Sequence, residues 1–223
     1  GVPKFGHLPF VMGEGNKKLS KRDPEANLLL HRDRGMLPEG LLNYLGLLGW
    51  SIAADRDLFS REEMAEAFDV ADVNPNPARF DDKKCVAINA EHIRMLDVED
   101  LRGRLVPFLK CDGVIEAESY EAADEEARRL LDAATPLVQT RIQLLGEAPA
   151  LMGFLFKGAD EIEYNEKAVA KLRDSAPDAL DAALAAFEQI APESWDAETI
   201  KAAVDEYVVG GLELKPRLAF QPL

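Results

Sequence analysis

Helix start and stop signals run through this chain so densely that they leave little room for anything but a mostly helical fold. Ser60 and Glu63 stand three apart as a capping box, and Phe59 with Met64 flank them as a hydrophobic staple. Asp23-Pro24 reads as an N-cap with proline at the first helical position, which predicts a helix from there to near Gly35. Pro38 opens a second helix, with Leu41, Leu42, Leu45 and Leu48 on one face and Gly49 as its stop. Asp81 and Asp97 each start another. The first carries Val86, Ile93 and Leu96, and the second turns Leu101, Leu105 and Phe108 inward. From residue 119 onward the pattern predicts helices over roughly 119–134, 136–147, 148–156, 165–174, 177–190 and 196–209. Thr135-Pro136, Pro149 and Pro177 sit at the seams. The alanine-rich run Ala179 to Ala186 reads as helix filler.

The front of the chain is different. His7 to Met12 is a short apolar strand candidate running into Gly13-Glu14-Gly15-Asn16, which reads as a hairpin turn. The expected fold class is therefore mainly α, with short β elements near the N-terminus. Nothing alternates strand with helix, so a complete nucleotide-binding sheet is not expected. With 223 residues, 47% of them apolar and 30% charged, the composition is that of a folded protein and excludes general disorder. No apolar run is long enough for a membrane span. Cys85 and Cys111 form no CxxC pair, and His7, His31 and His92 are isolated, each read as a surface or packing residue. A disulfide scaffold and a zinc site are both disfavoured, and a reducing cytoplasm fits.

A net charge of −15 disfavours nonspecific binding to nucleic acid, DNA included. Residues 1–34 depart from it: Lys4, Lys17, Lys18, Lys21, Arg22, Arg32 and Arg34 oppose four carboxylates, a local +3. There is no GxxxxGK[ST] loop, GxGxxG, HExxH or GxSxG. The acidic cluster Glu116 to Glu126 suits the start of a helix better than a catalytic dyad. The hexamer Lys17-Lys18-Leu19-Ser20-Lys21-Arg22 could hold a triphosphate, whose charge mobile ammonium groups would neutralise, or could be a solvated basic turn.

Lys18-Leu19-Ser20-Lys21-Arg22 resembles the KMSKS signature of class I aminoacyl-tRNA synthetases, in the form KLSKR. Phe5-Gly6-His7-Leu8-Pro9 before it, and the run from Leu37 to Trp50 after it, resemble the bacterial glutamyl-tRNA synthetase family. So do Phe59-Ser60, Phe80-Asp81, Asn89 with His92-Ile93-Arg94, and Pro136-Leu137-Val138-Gln139-Thr140-Arg141. The resemblance is densest over 4–50 and thinner over 112–130 and 157–200. Asp23-Pro24-Glu25-Ala26-Asn27 departs from it, where many members carry His-Gly and a Thr-Ser pair.

The resemblance implies a C-terminal portion of a longer enzyme, beginning near the signature loop and lacking the nucleotide-binding domain with the HIGH motif. Three modules are expected: 1–96 with the loop and a stem-contact region, 97–155 as a helical anticodon-binding domain, and 156–223 as a second, incomplete one. The intact enzyme would join L-glutamate to tRNA(Glu) through a glutamyl adenylate, using ATP with Mg2+ and no zinc. The isolated piece would be inactive and carry no bound cofactor. Lys21 matches the lysine that stabilises the ATP phosphates, Lys18 the first signature lysine, and Ser20 and Arg22 complete the loop's ATP-binding set. Arg141 matches an arginine that contacts the last anticodon base. Independently of the resemblance, a helix over 136–147 would put Arg141 in the middle of an apolar arc of Leu137, Val138, Ile142, Leu144 and Leu145, where an arginine pairs, snorkels or waits for a polar ligand.

Three other readings compete. A free-standing helical tRNA-binding or scaffold module would not need the KLSKR loop. A shortened glutamyl-queuosine-type relative would lack residues 100–223. A glutaminyl-tRNA synthetase would carry a β-barrel anticodon region.

Overall fold

The computed structural model describes residues 1–223 apart from Lys4, Glu14, Asn16 and Glu163. They fall into two units, Gly1–Glu161 and Ile162–Leu223. The first contains α1 (Leu28–Asp33), α2 (Pro38–Gly46), α3 (Arg61–Ala67), α4 (Asp82–Met95), α5 (Val98–Cys111), α6 (Glu125–Gln139) and α7 (Ala148–Met152). The second contains α8 (Glu166–Val169), α9 (Ala176–Phe187), α10 (Ala197–Ala203) and α11 (Pro216–Ala219), with a π-helical stretch over Val204–Gly210. Among the described residues no helix is long and apolar enough to cross a membrane.

The chain is mainly α, but the short β elements expected near its front are absent among the described residues. Only isolated bridges occur there: Met12 with Lys18, Met12 with Arg79, and Ala53 with Arg56. Met12 exchanges hydrogen bonds with a third segment, its N–H donating to the Ala78 carbonyl and its carbonyl accepting from the Phe80 N–H, both at 2.8 Å. Phe5, Leu8 and Phe10 stay exposed and only Val11 packs against the cluster around Phe80, too little buried face for a ladder to propagate. Glu14 and Asn16 of the expected hairpin turn lie outside the described residues. Its flanks do meet, through Gly13 N–H to Lys17 O (2.8 Å) and Leu19 N–H to Val11 O (2.9 Å).

Several helix boundaries also move. Residues 24–35 are not one helix: Pro24–Ala26 is a 3-10 turn and α1 begins only after Asn27, whose side chain accepts from the Leu29 N–H. Asp23 does not cap it, because its carboxylate is engaged in the signature loop. On α2 the buried residues are Gly40, Leu41, Asn43 and Tyr44, while Leu42 and Leu45 face outward. The reason is α4, against which α2 packs; Tyr44 reaches across so that its hydroxyl accepts from the Asp81 N–H at 2.5 Å. Burial pushes the Tyr44 phenol up to about 12. The capping box forms as the spacing predicts, with reciprocal bonds between Ser60 and Glu63 of 2.8 and 3.1 Å. Asp81 caps α4.

Pro136 makes no seam. α6 runs through it to Gln139, since Pro136 and Asp132, whose carbonyl the missing N–H would have met, both lie on the exposed side of the helix. On the buried side the Thr135 hydroxyl donates to the Leu131 carbonyl at 2.7 Å. The alanines of α9 are more than filler: Ala179 and Ala183 are buried against Val204, Val208 and Ala219, and their small side chains admit the π-helical stretch.

The first unit has two apolar clusters that exchange residues. One gathers Leu101, Leu105, Leu109, Leu131, Ile142 and Met152, and takes in Leu37 and Ile93 from the front of the chain. The other gathers Met36, Leu41, Tyr44, Phe80, Cys85 and Ile88, takes in Leu144 from behind, and has Leu19 packed against it.

Candidate nucleic-acid interface and signature loop

The loop over 17–23 is held by its own short side chains. The Asp23 carboxylate accepts from the Ser20 N–H at 2.7 Å, the Ser20 carbonyl accepts from the Asp23 N–H at 3.0 Å, and the Ser20 hydroxyl accepts from the Arg22 N–H at 3.2 Å. These are the local side-chain bonds that Ser and Asp offer a turn. Leu19 is half-buried and pins the loop to the cluster around Phe80, so the cations on either side of it face outward. Lys18 lays its ammonium 3.7 Å from the Phe10 ring centroid. Lys21 and Arg22 are exposed. The neighbouring cleft, about 550 Å³, is lined by Gly13, Leu19, Glu25, Arg79, Phe80, Asp81, Asp82 and Lys83. Its three carboxylates make it a poor phosphate pocket by itself.

Arg141 stands elsewhere, in the turn that ends α6. It is exposed and lies outside any helix, which corrects the expected placement on an apolar helical arc. The helix stops because the Val138 carbonyl accepts from both the Arg141 and Ile142 N–H groups, at 2.8 and 3.0 Å. Ile142 then dives into the core. Segment 140–143 is stapled to α4 from both sides. Before it, the Gln139 side chain donates to the Ile93 and Leu96 carbonyls at 3.0 and 2.8 Å. After it, the buried Asn89 side chain donates to the Gln143 carbonyl at 2.6 Å and accepts from the Leu37 N–H at 2.8 Å.

Lys18, Ser20, Lys21 and Arg22 are thus brought together in one turn, and Arg141 is carried by a separate one. Phe10, Asp23, Asn89 and Gln139 are residues to which sequence reasoning gave no site role. Asp23 was assigned a cap it does not make, and the carboxamides are invisible to hydrophobic periodicity. His31 and His92 are packing residues: the first sits 3.0 Å from the Glu25 carbonyl and the second 2.8 Å from Asn43 Oδ1. Among the described residues no group of three or more His, Cys, Asp or Glu side chains could hold a metal ion.

The model of the anticodon binding domain matches residues 100–223, more than half of the chain. The chain belongs to the anticodon binding domain family. Ahead of that domain, residues 1–86 match the catalytic domain of class I tRNA synthetases (E and Q). This qualifies the expectation of a C-terminal portion beginning near the signature loop, because the catalytic-domain match begins at residue 1. The chain is 55% identical over 222 residues to the glutamate–tRNA ligase of Clavibacter sepedonicus, and 56% identical to that of Kocuria rhizophila. Each match takes in 100% of this chain and 43% of the relative, so the chain spans under half the length of these ligases. Two crystal structures share the fold. A glutamate tRNA ligase from Elizabethkingia meningosepticum, in complex with its amino acid, superposes with a TM-score of 0.71 at 23% identity, over 99% of this chain and 45% of that one. The glutamate-tRNA synthetase from Elizabethkingia anophelis superposes with a TM-score of 0.72 at 22% identity, over 100% and 44%.

Proposed function

We propose that this chain is the tRNA-binding portion of a glutamate–tRNA ligase, a cytoplasmic enzyme that joins L-glutamate to tRNA(Glu) through a glutamyl adenylate. The observation that carries the reading is the match of the entire chain, at 55% identity, to glutamate–tRNA ligases. In this reading residues 1–96 hold the signature loop and the stem-contact region, 97–155 the first anticodon-binding module and 156–223 the second. Lys18, Ser20, Lys21 and Arg22 form one side of the ATP site. Their exposed cations would meet the phosphates, with which Mg2+ travels, while the nucleotide-binding part of the longer enzyme supplies the remainder. The 223 residues by themselves should give no ATP–pyrophosphate exchange with glutamate, and exchange from the pure chain would overturn that assignment.

Arg141 reads the last anticodon base. An exposed guanidinium on a turn can present its planar fork to a base edge without first breaking an ion pair. Arg141→Gln keeps length and polarity but removes charge and fork. It should weaken preference for the cognate third anticodon base by about 1–3 kcal/mol, the worth of one good base contact. The dependence of binding on salt should hardly move, since that slope counts phosphate contacts. Equal loss of affinity for glutamate and glutamine tRNAs would make Arg141 a phosphate contact or a structural residue instead.

A further inference from the structure

The turn that carries Arg141 owes its position to α4 as much as to α6, the helix it terminates. Gln139 lies two residues before Arg141 and Gln143 two after it, and both are tied to α4. The Gln139 carboxamide donates to the Ile93 and Leu96 carbonyls at the end of α4, where the Ile93 carbonyl also accepts from the Leu96 N–H at 3.2 Å. The Gln143 carbonyl accepts from Asn89, which is fully buried in the middle of α4 and whose other amide atom holds Leu37 at the start of α2. Gly40 makes room for this, since a methyl there would lie 2.6 Å from Asn89 Oδ1.

We infer that Gln139 is a specificity-determining positioning residue for anticodon reading: by gripping the end of α4 it fixes where the Arg141 guanidinium is offered. The inference rests on the proposed role of Arg141. Asn89 acts in the same direction from the other side, but its burial makes it a folding residue too. Gln139 is only half-buried, and its removal leaves no buried group stranded except carbonyls at a helix end. A base contact depends on distance and angle, so loss of the grip should release the contact while the fold and the phosphate contacts persist.

The experiment uses the 223-residue chain and unmodified transcripts of tRNA(Glu), with partners altered at the third anticodon base. Binding is measured for four proteins: the parent, Gln139→Met, Arg141→Gln and the double variant. Gln139→Met preserves volume and removes both donors. It should cut the cognate-to-altered affinity ratio by about tenfold, leave the salt slope unchanged, and add nothing once Arg141 is already Gln. Amide exchange across 140–143 should accelerate in Gln139→Met while α6 stays protected. Gln139→Asn, one methylene shorter but still polar, provides a second variant should methionine unfold the unit, and it should reproduce the loss. If Arg141→Gln lowers the ratio and neither Gln139 variant does, the positioning role is wrong and the reading of Arg141 survives. If Arg141→Gln leaves the ratio intact, both are wrong.

Discussion

Gly35 and Leu145 meet backbone to backbone, the Leu145 N–H donating to the Gly35 carbonyl at 2.9 Å across more than a hundred residues of chain. Gly146 repeats the contact with the Arg34 carbonyl at 3.3 Å. This joint sets the segment just after the signature loop against the segment just after the Arg141 turn.

The joint leaves no room for a side chain at residue 35. Gly35 has φ +89°, and a Cβ there would lie 2.4 Å from the Gly146 nitrogen. Gly35→Ala therefore combines left-handed strain with a clash against backbone that cannot yield. It should cost about 2–4 kcal/mol, read as a lower urea midpoint for the first unit. A midpoint within experimental error of the parent would show that the joint opens freely.

The ion pair between Glu39 and Arg104 is a bidentate bridge from α2 to α5, at 3.0 and 3.1 Å, with Asp100 also on the guanidinium. Arg104 holds the Glu39 carboxyl below its ordinary range. Both side chains remain partly exposed, so solvent screens the attraction. A double-mutant cycle with Glu39→Gln and Arg104→Gln should give a coupling of about 0.5–1 kcal/mol that shrinks in high salt. Coupling of several kcal/mol, insensitive to salt, would contradict this.

Stability should rise with pH through the histidine range because of His92. Asn43 Oδ1 accepts from the Phe59 N–H while Asn43 Nδ2 donates to the Asp57 carbonyl, so the oxygen facing His92 Nε2 can only accept, and the ring donates. Burial keeps the ring below its ordinary 6.5, opposed by attraction from Glu39. Between the folded value and 6.5 the unfolded chain binds more protons, so this contribution is complete above 6.5 and is lost as pH falls. His92→Gln should flatten the fall in urea midpoint between about pH 7.5 and about pH 5.5. An unchanged slope would assign the effect to carboxylates.

The two thiols should separate cleanly. Cys85 is fully buried beside Met36, and burial pushes its thiol up to about 12, whereas Cys111 is exposed. A chromogenic disulfide reagent should titrate one thiol in the native protein and two in denaturant. Two fast thiols in buffer would mean that the Met36–Phe80 cluster opens readily.

The sequence by itself determined the starts of α3 and α4, where the signal is local and the capping side chain has no competing partner. Ser60 with Glu63, and Asp81 before α4, act on donors three residues away, so spacing alone reveals them. The signature loop was legible as a run of residues, whereas its closure by Ser20 and Asp23 was not, because the same aspartate before a proline reads equally well as a helix cap. Tertiary structure decided the remainder. Whether His7 to Met12 became a strand depended on a buried partner face, of which it acquires only the contact of Val11 with the cluster around Phe80. Pro136 was neutral because it points to water, a matter of which side of α6 is covered. Leu42 and Leu45 were left outside because α4 took the opposite face of α2. Arg141 left its expected helix because Gln139 and Asn89 tie the chain to α4, some fifty residues earlier. A carboxamide donor carries no periodicity and names no partner, so only the folded chain shows which carbonyl it meets.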